Sequence, residues 1–250
     1  MPGERFIFLD FDDTLSDPFQ FHAQYVREVG AVLAPRYGGS AERWAKAAID
    51  LLEMLEAEYI ERFEGSPLNG YCAWLETVRE RSAVRMFQWM GIPVPNDRAR
   101  VARETQFDAL RRCNAAFPGG AEALRELCAA DCSIHIASGQ ESEYLTAALM
   151  GADLDSYIGS KFGPDLVDCA KEGPEYYERI FHAVGVKASN AVVVDDYPPA
   201  IGWALQAGAA VIQSKLSRER HYEVEAGVVG VMTDLRELPG LLNAAFDKRA

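Results

Sequence analysis

The sequence predicts an α/β protein: a mostly parallel sheet flanked by helices on both faces, interrupted by an all-helical insertion. Three observations carry this. Residues 5–9 read RFIFL, a short apolar run of the kind a central strand covered on both faces requires. Residues 18–114 place apolar side chains at three- and four-residue spacing, with no strand pattern. From residue 117 onward helical and strand patterns alternate, as they do where helices connect parallel strands.

Taken in order, residues 18–34 carry Phe19, His22, Tyr25, Val26, Val29 and Leu33 on one helical face, and Pro35 is expected to end that helix. Residues 41–64 repeat the pattern through Trp44, Ala48, Leu51, Leu55, Tyr59 and Phe63, with Ser40 as N-cap. A third helix spans 71–90, ended by GIPVP, and a fourth spans 97–115. After the PGG at 118–120, helices at 121–129, 141–150, 175–184 and 199–207 alternate with strands at 133–137, 157–159, 191–194 and 209–213. A strand at 228–232 and a helix from 235, capped by Asp234, complete the chain. Residues 1–17 and 115–250 are therefore expected to form one discontinuous α/β domain, and 18–114 a helical one.

At 250 residues and 49% hydrophobic content, the chain can bury one large core or two modest ones. Its formal charge of −13 argues against a nucleic-acid backbone or an anionic membrane surface as partner. A small anionic substrate stays open, because a metal ion or a lysine can reverse the sign locally. No apolar run has bilayer length, and no apolar h-region follows a basic start, so a cytoplasmic location is expected. Cys72, Cys113, Cys128, Cys132 and Cys169 are scattered and odd in number, which suggests neither disulfides nor a zinc site.

The chemistry concentrates at strand ends. FLDFDDTL places Asp10 and Asp12 just past the first strand, on the side of a parallel sheet where ligands bind. Residues two apart on an extended chain project to one side, roughly 7 Å apart, so both carboxylates can flank one reacting atom. Near an anionic substrate they would repel it by roughly 4 kcal/mol per pair at 4 Å and an effective dielectric of 20. A Mg²⁺ ion, which takes one or two carboxylates plus phosphate oxygens and waters, removes that conflict. An EF-hand is excluded, since its glycine would be Leu15 and its last glutamate Phe21. In isolation the same stretch is equally a solvated acidic loop.

Three further strand ends or loops keep it company. SIHIASGQ ends in Ser138 and Gly139, suited to phosphate oxygens or simply to a turn. AVVVDDYPPA ends in Asp195 and Asp196, a second acidic pair that favours a metal. Lys171, in AKEGPEYY, would neutralise a bound phosphate, although a loop lysine by itself is usually a solvated charge. Lys161, in SKFGPD, is a competing lysine that lies close to the short third strand.

The ordered set DFDDT, ASG, KEGPEYY and VVVDDYPPAIGWALQAGA resembles the four motifs of the haloacid dehalogenase-like (HAD) hydrolase superfamily, over residues 5–17 and 117–240. FPGGAEALREL is similar to the lead-in to its second motif, and the insertion resembles a C1-type helical cap in position and character. The resemblance implies a Rossmann-like core, Asp10 as nucleophile, Asp12 as general acid and base, and Thr14 steadying the first loop. It implies phosphate binding by Ser138, Gly139, Thr14 and Lys171, and Mg²⁺ held by Asp10, Asp12 and Asp196 with Asp195 in support. Asp13 stands where many members have glycine and receives no role; Ala200 stands where many phosphatases have a further aspartate.

An acid at Asp12 serves an alkoxide leaving group, which needs a proton, and not a halide, which does not. The expected activity is hydrolysis of a small phosphorylated metabolite, by a monomer or homodimer. Dehalogenase, phosphonatase, phosphomutase and a non-catalytic phospho-acceptor are the alternatives. In the insertion, His22, Arg79, Arg81 and Arg85 are candidate substrate contacts and Trp44, Trp74 and Trp89 candidate pocket walls, against ordinary roles in core and solvent. His135 reads as a core residue within its strand.

Overall fold

A computed structural model describes residues 5–63, 70–217 and 219–247. Six parallel strands form one sheet: β1 (Arg5–Leu9), β2 (Cys132–Ala137), β3 (Lys161–Phe162), β4 (Ala191–Asp195), β5 (Ala210–Ser214) and β6 (Gly230–Met232). Their order is β3-β2-β1-β4-β5-β6, which puts β1 between β2 and β4, where the direction of winding reverses. Such a switch opens a crevice at the carboxyl ends of its strands.

The period of two along β1 explains its unbroken apolar run. Ile7 and Leu9 enter one core layer with Leu124, Leu145 and Leu242, while Phe8 enters the opposite layer with Tyr176, Ile180 and Ile201. Helices α5 (Gly120–Ala129), α6 (Ser142–Gly151) and α10 (Leu238–Asp247) cover the first face. Helices α8 (Pro174–Val184) and α9 (Pro198–Gln206) cover the second. Each fully buried side chain of this size contributes about 1.5–3 kcal/mol to the folded state.

The insertion is four helices: α1 (Pro18–Tyr37), α2 (Ala41–Phe63), α3 (Tyr71–Met90) and α4 (Arg98–Leu110). Asp17 caps α1 through the Phe19 and Gln20 N–H groups, and Ser40 Oγ accepts from Arg43 N at the start of α2. Trp44 fills their shared core, its indole N–H donating to the Gly38 carbonyl at 2.8 Å. At Gly30 a Cβ would lie 2.2 Å from the Ala41 carbonyl oxygen, so the α1–α2 crossing admits glycine alone. The helical block meets the core through Arg79 and Glu141, 2.8 Å apart, Arg103 and Glu143, 2.6 Å apart, and Cys72 N donating to Asp168 at 3.0 Å.

Several expected boundaries move. Residues 157–159 do not form the third strand: Tyr157 ends a short 3₁₀ turn, and pairing with β2 begins only at Lys161. Pro35 does not end α1, which runs on to Tyr37; a proline there forfeits only one hydrogen bond of the last turn. The fourth helix stops at Leu110, and Asp97 makes no side-chain capping bond. Glu64, the expected end of α2, lies outside the described residues. A four-residue helix, α7 (Pro164–Val167), was not expected. All five cysteines are free, and among the described residues no helix is long and apolar enough to cross a membrane.

Candidate active site

Asp10 heads the loop after β1, its N–H still donating to the Val194 carbonyl at 2.9 Å. The chain then turns tightly: Leu15 N and Ser16 N both donate to the Phe11 carbonyl. Asp13 adopts φ 53°, the left-handed conformation that aspartate tolerates better than most residues. The turn sends Asp13 and Thr14 inward, 1% and 0% exposed, and leaves Asp12 half-buried at the mouth of a cavity of about 560 Å³.

Into that cavity the other strand ends deliver Ser138, Gly139, Lys171, Asp195 and Asp196 beside Asp10 and Asp12. Seven of the eight expected site residues therefore converge from four separate segments. Thr14 is the exception. Its side chain does not line the cavity and its hydroxyl finds no partner, because the turn packs it behind the carboxylates. Lys161 is excluded from the site, paired instead with Asp155 at 2.9 Å.

Lys171 organises the centre. Its ammonium lies 2.7 Å from Asp10 Oδ1 and 2.8 Å from Asp195 Oδ2, and donates to the Ala137 carbonyl at 3.1 Å. Burial alone would neutralise this lysine, but Asp10 and Asp195 hold it charged and push its pKa up. Asp195 is fully engaged: Oδ2 also accepts from Tyr177 at 3.1 Å, and Oδ1 from the Tyr197 N–H at 3.1 Å. These bonds make Asp195 a brace for Lys171, and it also belongs to the group of carboxylates that could hold a metal ion, beside Asp196.

Asp196 differs. Its Oδ2 is buried with no hydrogen-bond partner among the described residues, and burial together with Asp10 and Asp195 raises its pKa to about 9. Burial likewise raises Asp10 to about 7, against the pull of Lys171. Oxygens of Asp10, Asp195 and Asp196 lie within 4.8 Å of one another. An orphaned carboxylate beside a second, both unfavourable as anions without a cation, fits a hard divalent ion such as Mg²⁺. Asp10, Asp195 and Asp196 are the residues able to hold one.

Asp12 has a partner that sequence reasoning missed. Gln140 Nε2 donates to Asp12 Oδ2 at 3.1 Å, while burial, the larger influence, raises the Asp12 pKa. Ser138 Oγ accepts from the Gln140 N–H at 3.3 Å, so one short loop both offers a hydroxyl and orients the acid. Gly163 backs this loop: a Cβ there would lie 2.2 Å from the Gln140 carbonyl oxygen. Asp165 then ties down the start of α6 through the Ser142 N–H at 2.8 Å and the Ser142 hydroxyl. The only sequence signal for Gln140 was its adjacency to Ser138 and Gly139.

Among the insertion candidates, His22 and Trp74 reach the cavity. Arg79 is drawn to Glu141 and Glu76, Arg81 to Glu58, and Arg85 faces a separate surface groove. Trp44 is core and Trp89 is 42% exposed away from the cavity. His135 is a core residue, stacked on Phe8 at 5.3 Å and accepting from the Ser160 N–H. Asp13, left without a role by its sequence, lies 3.4 Å from the Arg220 guanidinium.

A family model described as haloacid dehalogenase-like hydrolase matches residues 5–208. No curated protein matches the chain. Among solved structures, a defluorinating L-2-haloacid dehalogenase is similar at TM-score 0.70 and 14% identity, covering 96% of each chain. The 2-haloacid dehalogenase of Pseudomonas syringae pv. Tomato DC3000 is similar at TM-score 0.64 and 20% identity, covering 96% of this chain and 99% of the other. The HAD-hydrolase YfnB from Bacillus subtilis, bound to magnesium, is similar at TM-score 0.63 and 15% identity, with the same coverage. At these identities the structural likenesses establish the fold.

Proposed function

Since the chain belongs to the haloacid dehalogenase-like hydrolases, we propose that it is a Mg²⁺-dependent phosphatase acting on a small phosphate monoester. The observation that carries this reading is Asp12, held at the cavity by Gln140 while burial raises its pKa. A departing alkoxide requires such an acid; a departing halide does not.

Asp10 attacks phosphorus, the bond from phosphorus to the alcohol oxygen breaks, and Asp12 gives its proton to that oxygen. Asp12, now a base, takes a proton from the water that attacks the aspartyl phosphate, which releases phosphate and restores Asp10. Ser138 Oγ and the Lys171 ammonium donate to the phosphoryl oxygens as their charge grows. Mg²⁺ on Asp10 and Asp196 would offset the negative charge that carboxylates and phosphate bring together. The helical block over the cavity limits bulk water and macromolecular substrates. The reading includes a cytoplasmic location and a monomer or homodimer that binds neither nucleic acid nor membranes.

A second reading, 2-haloacid dehalogenation, is favoured by the names of the similar structures. One experiment separates the two. Purified protein is stripped with a chelator, then offered p-nitrophenyl phosphate or 2-chloropropionate with and without Mg²⁺. Phosphate release that needs Mg²⁺ and disappears in Asp10→Asn is expected. Chloride release without added metal, and no phosphate release, would establish the dehalogenase instead.

A further inference from the structure

We infer that the leaving-group side of the cavity selects a phosphate monoester whose alcohol carries an ammonium cation, an inference that rests on the phosphatase reading. The cavity that holds the carboxylate centre is also lined by Tyr59, Tyr71 and Trp74, and by Glu56 and Glu172. The rings are inclined, not stacked: Tyr59 and Trp74 meet at 65° with centroids 6.0 Å apart, Tyr71 and Trp74 at 53° and 5.3 Å. Phe63, fully buried behind them, fixes Trp74 edge-on at 86°. Tyr59 Oη donates to Glu172 at 3.2 Å, which places an acidic oxygen next to the aromatic surface.

Aromatic faces and carboxylates share one preference: both attract a cation, the rings through their quadrupole, and a methylated ammonium suits the rings because it sheds water cheaply. An anionic leaving group has no counterpart there. Among the described lining residues the full cations are Lys171, held by Asp10 and Asp195, and Arg220, held near Asp13 and over the Phe19 ring at 5.9 Å. An ammonium on the ester lowers its net negative charge, so the formal charge of −13 opposes it less than a fully anionic ester. A substrate carrying both phosphate and ammonium matches a cavity lined by a carboxylate centre able to hold a metal and by aromatic and acidic side chains.

The test compares kcat/KM for choline phosphate, ethanolamine phosphate, the neutral isostere 3,3-dimethylbutyl phosphate and the anionic 3-phosphoglycerate, with p-nitrophenyl phosphate as a measure of phosphatase activity itself. Choline phosphate is expected to exceed its neutral isostere by about tenfold or more, and 3-phosphoglycerate to be the poorest. In Trp74→Leu and in Glu172→Gln the ratio of cationic to neutral ester should fall toward one. Free choline should compete with substrate in the parent protein. Turnover of p-nitrophenyl phosphate with equal or inverted preference among the esters overturns the inference and leaves the phosphatase standing. Absence of turnover for every ester overturns the phosphatase reading itself.

Discussion

Lys171 Nζ lies 2.7 Å from Asp10 Oδ1, although 161 positions separate the two residues along the chain. The contact joins the loop after β1 to the loop before α8, and it gives the Asp10 carboxylate a fixed orientation. Lys171→Met removes that cation and leaves Asp10 and Asp195 buried together. A fall in kcat of about 10²–10³-fold is expected, along with a lower urea midpoint, because two buried carboxylates lose their compensation. Phosphatase assays and equilibrium unfolding read the two effects separately.

The acid role of Asp12 predicts a dependence on the leaving group. Asp12→Asn should slow alkyl phosphates by about 10²–10⁴-fold, but p-nitrophenyl phosphate far less, since nitrophenolate departs without help. Gln140→Ala should show a milder form of the same pattern. Equal slowing of both substrate types would remove Asp12 from protonation of the leaving group and leave it only the role of base toward water.

Asp13 separates backbone from side-chain effects. Its φ of 53° suits glycine, so Asp13→Gly keeps the turn and loses the side-chain contacts with Arg220 and Ser217. Asp13→Ala loses the pairing and also strains the turn, and should be less stable than the glycine variant by about 1–2 kcal/mol. Urea denaturation of both variants measures the difference.

Glu141 predicts a pH-dependent stability. Burial, outweighing Arg79, raises its pKa from 4.5 to about 7 in the folded chain. The folded protein thus binds a proton more tightly than the unfolded one. The corresponding stability is fully present below about pH 4.5 and is lost as pH rises through about 7, a change on the order of 3 kcal/mol. Glu141→Gln, which keeps an acceptor for Arg79 and cannot ionise, should flatten the decline between pH 5 and 8. Parallel slopes for both proteins would contradict this.

Removal of the metal should act on Asp196 above all. With a divalent ion bound, its orphaned oxygen gains a partner; added Mg²⁺ is therefore expected to raise the thermal midpoint of the parent protein and to raise that of Asp196→Ala much less. Thermal unfolding with and without Mg²⁺ checks this without reference to turnover.

The sequence by itself determined the sheet, the helical insertion and which polar residues stand together at the cavity, because these follow from local pattern. RFIFL must be buried on both faces, and Asp10 must then emerge at a strand end. Ser138, Lys171 and Asp196 were legible for the same reason, each standing at the edge of an apolar run or helix start. What only the tertiary structure decided is which groups share a hydrogen bond. Asp195 and Asp196 are adjacent in sequence, yet Lys171, Tyr177 and the Tyr197 N–H engage the first and leave Asp196 Oδ2 without a hydrogen-bond partner among the described residues. Gln140 reaching Asp12, Arg220 reaching Asp13 and Arg79 reaching Glu141 instead of the cavity depend on how distant segments pack. No period in the sequence encodes such partnerships, because a side chain's partners are set by the three-dimensional competition for each buried charge.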